Sequence, residues 1–158
     1  MVCSFVKNPV CATYLYGEIT ELYREGHLQI PEGIIKIWSG NGYGKMVSRR
    51  QGNHNPRVPS LPTAEEPGPH GLYYHITFHD LQASNHLTMF PSDPNLVKEE
   101  LLKAFDAGAD RYLLLNCGNI RPHVYLLDIV GHLWVWGLSI LTSILVNFAG
   151  SISVHRGN

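Results

Sequence analysis

The amino-acid sequence predicts an α/β protein built on a parallel sheet, because strand-like and helix-like patterns alternate along the chain. Short runs of β-branched, aromatic or aliphatic residues predict the strands Ile34–Trp38, Leu72–Phe78 and Tyr112–Leu115. Apolar residues at three-to-four-residue spacing predict helices over Val10–Glu25 and after Asp93. Polar, glycine-rich stretches follow the strands, where a parallel sheet has its exit loops.

The first predicted helix, Val10–Glu25, ends just before Gly26, a residue that suits a helix C-terminus. A turn at residues 31–33 then leads into the strand Ile34–Trp38. The glycines of the following run, residues 39–44, fit neither of the glycine-rich phosphate-binding patterns. A sharp turn is the better account of them.

A long irregular stretch from Tyr43 to Gly71 is rich in proline, glycine and polar residues. Loops of this length are uncommon in a compact domain and tend to be functional. The strand Leu72–Phe78 follows it. His79 and Asp80 then open another polar loop, which runs through residue 91.

The helix after Asp93 has the strongest terminal signals in the chain. Asp93 is a good N-cap, Pro94 suits the first helical position, and Gly108 ends the apolar pattern. The strand Tyr112–Leu115 comes next, and its exit loop is Asn116–His123.

Polar residues follow the predicted strands, and in parallel sheets such positions converge at one edge, where ligands bind. We therefore predict a site formed by Asn41, Tyr43, His79, Asp80, Asn116, Asn119, Arg121 and His123. Arg49, in the long loop, is either a solvated residue or a carboxylate-binding one. No spacing of His, Asp or Glu indicates a metal site, and no cofactor is expected.

Composition predicts one compact domain and argues against several classes of function. The 158 residues are 44% hydrophobic and 16% charged, with a formal net charge of -1. This balance gives no global field that attracts nucleic acid. Three cysteines without a CxxC pair indicate neither a disulfide framework nor a structural zinc site. The N-terminus has no secretory-signal pattern, so we expect a cytoplasmic location.

The C-terminal stretch from Ile129 to Val154 contains no Asp, Glu, Lys or Arg. Within it, residues 133–150 are long and apolar enough for a membrane span of ~20 residues. Three interpretations of this tail stay open: a membrane anchor, a buried helix, and non-native or frame-shifted coding. The predicted division of the chain is residues 1–134 for the α/β part and residues 135–158 for the tail.

Six ordered blocks of the sequence resemble glycoside hydrolase family 115, the xylan α-glucuronidases. Any one block alone is a weak signal, but six in the same order are hard to obtain by chance. The similarity covers about residues 14–134, and the blocks are Leu22–Gly26, Ile37–Met46, Tyr73–His75, Ala83–Leu87, Ala104–Arg111 and Asn116–His123.

The resemblance implies an inverting α-glucuronidase that removes glucuronic acid or its 4-O-methyl ether from glucuronoxylan. Its pocket would lie on a (β/α)8 barrel within a much longer multidomain protein. This chain is then an incomplete fragment of a TIM-like barrel with an apolar C-terminal helix. Its implied partners are a glucuronoxylan-derived oligosaccharide and the rest of the parent enzyme. The residues implied to bind the uronate are Asn41, Tyr43, Asn116, Arg121 and His123.

Aromatic and basic side chains suit the implied ligand. Trp38, Tyr43 and Tyr74 are candidates for stacking on a sugar ring, although packing inside the protein is the favoured role of Trp38 and of the pair Tyr73 and Tyr74. Arg49 and Arg121 are able to grip a uronate carboxylate in bidentate fashion.

The sequence departs from the family at one strand exit. Family members commonly read Trp-x-Asp-Asn there, and Gly40 stands at the place of that Asp. Inversion needs an acid and a base roughly 6.5 to 9.5 Å apart, and Asp80 is the acidic residue that we place at a strand exit as a catalytic candidate. Because this pair is incomplete, we expect the fragment to be inactive alone. Two rival hypotheses are a noncatalytic uronate-binding remnant and a small tail-anchored membrane protein.

Overall fold

The computed structural model describes residues 9–47, 59–80, 84–86, 88–90 and 92–136, with the backbone alone at 79, 80, 84–86 and 136. Within these ranges a short 3₁₀ turn, Arg121–His123, precedes the last helix. The elements in chain order are β1 Ala12–Leu15, α1 Glu18–Arg24, β2 Ile35–Ser39, β3 His70–His75, β4 Phe78–Asp80, β5 Ser84–His86, α2 Pro94–Asp106, β6 Leu113–Asn116 and α3 Val124–Trp136.

Four strands form a parallel sheet in the order β1-β2-β3-β6, which confirms the predicted α/β class. Apart from a separate antiparallel pair, β4 with β5, sheet neighbours also follow one another along the chain. Chain order and sheet order agree in this way in (β/α) barrels. Among the described residues the sheet stays open at β1 and β6, so the barrel itself is not part of what the structure contains.

One face of the sheet packs against α2 and α3. Leu15, Trp38 and Leu72 lie side by side in the sheet register and are fully buried. They share one apolar core with residues of both helices, Val97, Leu101, Ala104, Leu126, Ile129, Val130 and Leu133. Side chains alternate along a strand, so on each strand the residues next to Leu15, Trp38 and Leu72 point to the opposite face. That opposite face, which carries Tyr14, Ile37, Tyr73 and His75, is called the aromatic face below.

The predicted helix Val10–Glu25 is wrong in its first half. Ala12–Leu15 is a strand that pairs in parallel with β2, and only Glu18–Arg24 is helical. Gly17, at φ 54, separates the two elements. The apolar spacing fits a strand and a helix equally well over so short a stretch, and the hydrogen bonds to β2 decide between them.

The predicted helix after Asp93 is confirmed, and its ends have the predicted chemistry. The Asp93 carboxylate accepts a hydrogen bond from the Asn95 backbone N–H at 2.8 Å, and Pro94 is the first helical residue. Gly108 follows the helix at φ 87, a left-handed conformation that favours glycine. The helix therefore begins and ends on local signals.

The predicted strand Leu72–Phe78 is two strands. β3 ends at His75, and the backbone N–H groups of Ile76 and Thr77 both donate to the Asn116 carbonyl, at 3.0 and 3.3 Å. This shared acceptor turns the chain away from the sheet. The following residues, predicted as a polar loop, instead form the β4–β5 hairpin.

The last described helix, α3 Val124–Trp136, overlaps only the first residues of the predicted apolar stretch 133–150. Among the residues that the structure describes, no helix is long and apolar enough to cross a membrane. The larger part of the predicted span, from residue 137 onward, lies outside the described residues.

Candidate functional site

The carboxyl ends of the four parallel strands meet at one edge of the sheet, called the carboxyl edge below. Ser39 ends β2, His75 ends β3 and Asn116 ends β6. Tyr16 directly follows β1 at the same edge, and Glu18 begins α1 two residues later. Parallel α/β sheets bind ligands at this edge.

An aromatic cluster covers the aromatic face near this edge and consists of Tyr14, Tyr16, Tyr73, His75 and Phe78. The Tyr73 ring lies 4.4 Å from the His75 ring, 5.7 Å from Tyr14 and 6.5 Å from Tyr16, between ring centroids. The His75 ring in turn lies 4.5 Å from Phe78. Tyr14 and Tyr16 are each 42% exposed, so the cluster presents aromatic surface to a ligand.

His75 is fully buried in this cluster, and neither of its ring nitrogens has a protein partner among the described residues. The Ser39 hydroxyl, 3% exposed, and the Asn41 side-chain nitrogen are buried and unpartnered in the same sense. Buried polar atoms almost always find a hydrogen-bond partner. Ser39 and His75 lie at the ends of the neighbouring strands β2 and β3, and Asn41 lies in the loop that follows β2.

Burial lowers the pKa of His75 to about 4. The imidazole is therefore neutral at pH 7, with one nitrogen as donor and the other as acceptor. A neutral imidazole suits the hydroxyl groups of a sugar better than it suits an ion pair.

Asn116 and Tyr73 are linked across the aromatic face. The Asn116 side-chain N–H donates to the Tyr73 hydroxyl oxygen at 2.9 Å. The Tyr73 hydroxyl keeps its own proton for a second hydrogen bond. The predicted site residue Asn116 thus lies beside the aromatic cluster, and its contact fixes the Tyr73 side chain.

The β2 exit loop, Gly40–Met46, is shaped by Asn41. The Asn41 side-chain oxygen accepts hydrogen bonds from the backbone N–H of Tyr43 at 3.0 Å and of Lys45 at 3.1 Å. This oxygen is occupied by the turn, so the unpartnered side-chain nitrogen is what Asn41 offers to a ligand. Tyr43 lies half-buried in the same loop.

Trp38 and Tyr74 face the helices and are fully buried, so sugar stacking is wrong for both. The Trp38 indole N–H donates to the His70 ring at 3.2 Å, and the Tyr74 hydroxyl donates to the Gly44 carbonyl at 2.8 Å. Both side chains pack inside the protein. Tyr73, one residue from Tyr74, lies on the aromatic face instead.

The other predicted site residues are dispersed. Asn119 and Arg121 are exposed in the loop after β6, whereas His123 is 2% exposed, and burial lowers its pKa. His79 and Asp80 belong to β4 of the antiparallel hairpin, where a parallel-strand exit was predicted, and only their backbone is described. The predicted position of Arg49 lies outside the described residues.

Four residues near the carboxyl edge are not among the predicted site residues: Tyr16, Glu18, Ser39 and Tyr73. Tyr16 and Glu18 were hidden inside the predicted helix Val10–Glu25, although Gly17 between them was a signal for a break. With β1 in place, Glu18 becomes a carboxylate at a strand exit. The missing signal for Tyr73 was the sheet register, which separates it from Tyr74 by face.

Gly40 has no room for a side chain. A Cβ at this position would lie 2.8 Å from the Lys45 carbonyl oxygen and 3.0 Å from the Met46 sulfur. The Gly40 backbone N–H also donates to the Tyr73 carbonyl at 3.1 Å, which holds the residue against β3. A side chain at position 40 is therefore excluded by the path of the loop.

We expect Gly40→Ala and Gly40→Asp each to lower the free energy of unfolding by about 1–3 kcal/mol, because the added Cβ forces the backbone of Lys45 to move. Urea denaturation measures this loss. The matched control is Gly131→Ala, since a Cβ there meets nothing within 4 Å and alanine favours a helix. An equal effect of the two alanine substitutions would contradict the packing argument.

Comparisons with known proteins agree with one another. The family model for "Glycosyl hydrolase family 115" matches residues 3–144. One similar solved structure is described as "A novel family GH115 4-O-Methyl-alpha-glucuronidase, BtGH115A, with specificity for decorated arabinogalactans". It has a TM-score of 0.67 and 27% sequence identity, covering 84% of this chain and 16% of that chain. None of the curated proteins matches the chain significantly.

Proposed function

The chain belongs to glycosyl hydrolase family 115, and we propose that it forms part of the uronate-binding pocket of an α-glucuronidase. One observation carries the proposal: His75, buried among aromatic rings at the carboxyl edge, has two ring nitrogens without a protein partner. Because the chain spans 16% of the length of the similar enzyme BtGH115A, the remaining walls of the pocket belong to other parts of a parent enzyme.

A pyranose ring matches this environment chemically. Its apolar C–H face packs on exposed aromatic rings such as Tyr14 and Tyr16, and its hydroxyls need neutral donors and acceptors. His75, Ser39 and the Tyr73 hydroxyl supply them. The combination supports a sugar better than it supports a purely apolar ligand.

The uronate carboxylate needs a cation, and Arg121 supplies it in this proposal. Arg121 is exposed just beyond the end of β6, in the loop that begins at Asn116. A guanidinium binds a carboxylate through two parallel hydrogen bonds. The proposed ligand is therefore a terminal glucuronosyl group or its 4-O-methyl ether.

The proposed source of this group is a glucuronoxylan-derived oligosaccharide. BtGH115A is described as specific for decorated arabinogalactans, which is the alternative source. The described residues are proposed to contact the uronosyl group that both sources share. Competition between the two oligosaccharides for the chain distinguishes them.

For an inverting reaction the pocket needs two carboxyl groups roughly 6.5 to 9.5 Å apart. Glu18, at the exit of β1, is our candidate for one of them, since it is exposed at the carboxyl edge. The exit of β2 supplies none, because Gly40 excludes a side chain. The second carboxyl group is proposed to come from the rest of the parent enzyme, so the chain alone has no turnover.

Titration of the ¹⁵N-labelled chain with methyl α-D-glucuronoside tests the pocket. We expect shifts at the amides of Tyr73, His75 and Asn116, and we expect Arg121→Ala to weaken binding about tenfold or more, because a charge-assisted bond is lost. Arg111→Ala is the matched control, since Arg111 is also exposed but lies before β6, at the opposite edge.

Two results would count against the pocket. One is binding that Arg111→Ala and Arg121→Ala weaken equally. The other is equal affinity for methyl α-D-glucoside, which has no carboxylate. Either result removes the uronate from the proposal.

A noncatalytic uronate-binding role is the second candidate. The lack of room for a side chain at Gly40 favours it, because the exit of β2 then supplies no carboxylate. Release of glucuronate from an aldouronic acid by the chain, lost in Glu18→Gln while binding persists, would identify an enzyme. Binding without release by the chain alone is expected from both candidates, whereas binding without release by the reassembled parent enzyme would identify a binding remnant. The same assay on the reassembled parent enzyme shows whether Glu18 acts there.

A further inference from the structure

A buried carboxylate on the helix side of the sheet reaches the β2 exit loop. We propose that Glu100, on α2, is a positioning residue that holds this loop in the form that presents Asn41 to the sugar. The proposal rests on the proposed uronate-binding function. It assigns no chemical step to Glu100, which contacts the loop and not the aromatic face.

Glu100 contacts the end of the loop directly. One carboxylate oxygen accepts a hydrogen bond from the Met46 backbone N–H at 2.8 Å, and the other pairs with the Lys103 ammonium at 2.7 Å. Glu100 is 6% exposed, whereas the Lys103 side chain is 59% exposed. Burying a carboxylate is costly unless it is hydrogen-bonded, and both of its oxygens have such partners here.

A second buried tether holds the middle of the loop. The Tyr74 hydroxyl donates to the Gly44 carbonyl at 2.8 Å, and Tyr74 is fully buried. The backbone of Gly44 lies directly on this hydroxyl, since a Cβ there would be 3.0 Å from the Tyr74 oxygen and 3.2 Å from the Phe90 ring. Glu100 and Tyr74 thus fix two points of the loop from the helix side.

Hydrogen bonds inside the loop extend this restraint to Asn41. The Asn41 backbone N–H donates to the Lys45 carbonyl at 2.8 Å, and the Asn41 side-chain oxygen accepts from the Lys45 N–H at 3.1 Å. Lys45 immediately precedes Met46, which Glu100 holds. When Met46 is fixed, Lys45 is fixed, and with it the Asn41 side chain whose nitrogen has no protein partner.

The loop also begins beside the proposed pocket. The Gly40 N–H donates to the carbonyl of Tyr73, a member of the aromatic cluster. A displacement of residues 41–46 therefore moves Asn41 relative to Tyr73 and His75. Glu100 acts on the pocket from the far side of the sheet in this way.

The experiment compares Glu100→Gln with Glu100→Leu in the full chain. Gln keeps an acceptor for the Met46 N–H and Leu does not. We expect Glu100→Leu to raise hydrogen exchange of the Met46 amide about tenfold or more, because the amide loses its acceptor, and to weaken methyl α-D-glucuronoside binding about tenfold. We expect Glu100→Gln to restore both within about threefold.

Two further variants keep the comparison decisive. Lys103→Met removes the ion pair but leaves the acceptor for the Met46 N–H, so its effects on exchange and on binding should be smaller than those of Glu100→Leu. Tyr74→Phe removes the second tether without changing the ring, and it should weaken binding in the same direction if Glu100→Leu does not fold.

The outcomes separate this inference from the proposed function. Binding by Glu100→Leu and Tyr74→Phe at wild-type affinity, with faster loop exchange, overturns the positioning role and leaves the uronate pocket in place. Equal loss of binding in Glu100→Gln and Glu100→Leu also overturns it, since the acceptor then has no role. A wild-type chain that binds no uronate overturns the proposed function, and the positioning role with it.

Discussion

Acidification from pH 7 to about pH 4 is expected to lower the free energy of unfolding by about 3 kcal/mol through His75 alone. Burial lowers the pKa of His75 to about 4 in the folded chain, whereas an unfolded histidine titrates near 6.5. Below pH 6.5 the unfolded chain binds a proton that the folded chain does not yet accept. The stability that depends on neutral His75 is therefore complete above pH 6.5 and lost as the pH falls toward 4.

Urea denaturation at several pH values measures this loss, with His75→Gln as the comparison. The variant keeps a polar side chain of similar reach but does not titrate. Burial also lowers the pKa values of His70 and His123, so the variant should keep a weaker pH dependence of the same sign. Superimposable pH profiles of wild type and variant would rule out His75 as the source.

Arg24→Ala is expected to lower the free energy of unfolding by about 2–3 kcal/mol, because Arg24 joins α1 to the segment before β3. Its guanidinium donates to the Pro59 carbonyl at 3.1 Å and to the Leu61 carbonyl at 2.7 Å, and it pairs with Glu66 at 3.3 Å. It also lies 4.9 Å from the centre of the Trp38 ring. Alanine leaves all four partners without the cation.

Chemical denaturation of three variants checks this expectation. Arg24→Lys keeps the charge but lacks the planar fork, so it should recover only part of the loss. Arg111→Ala removes an exposed pair with Asp110, 3.5 Å apart, and should cost less than about 1 kcal/mol. Full recovery in Arg24→Lys would show that charge alone, and not the geometry of the fork, stabilises this region.

The helix α2 was predictable because its signals are local. Asp93, Pro94 and Gly108 specify its ends through contacts with residues nearby in sequence, which do not depend on the rest of the fold. The strand β6 was predictable for a related reason, since a nearly all-apolar run fits few places other than the interior of a sheet.

The strand β1 was not predictable because partners distant in sequence create it. Tyr14 and Leu15 fit a helical spacing, and only pairing with Ile37 and Trp38 makes them a strand. Because β1 is not predicted, Tyr16 and Glu18 at its end are absent from the predicted site. A strand forms through hydrogen bonds to residues distant in sequence. It has no local signal equivalent to the capping residue of a helix.

The predicted site residues follow strands, and two of the three aromatic candidates, Trp38 and Tyr74, are buried against the helices. Tyr73 and Tyr74 are adjacent, and a shift of one residue in register exchanges their faces. The structure turns Tyr74 toward the helices and Tyr73 toward Asn116. The sequence predicts which residue types are candidates for such a site. The register of the sheet decides which of two adjacent residues lies on the aromatic face.

The contact between Gly40 and Lys45 also constrains the evolutionary routes open to this sequence. A codon change that introduces aspartate at position 40 brings the new Cβ against the Lys45 backbone carbonyl, which no side-chain rotation moves aside. The loop has to be rebuilt first, so a side chain at this position needs further changes in residues 41–46. A single point mutation is therefore not expected to place a carboxylate at this strand exit.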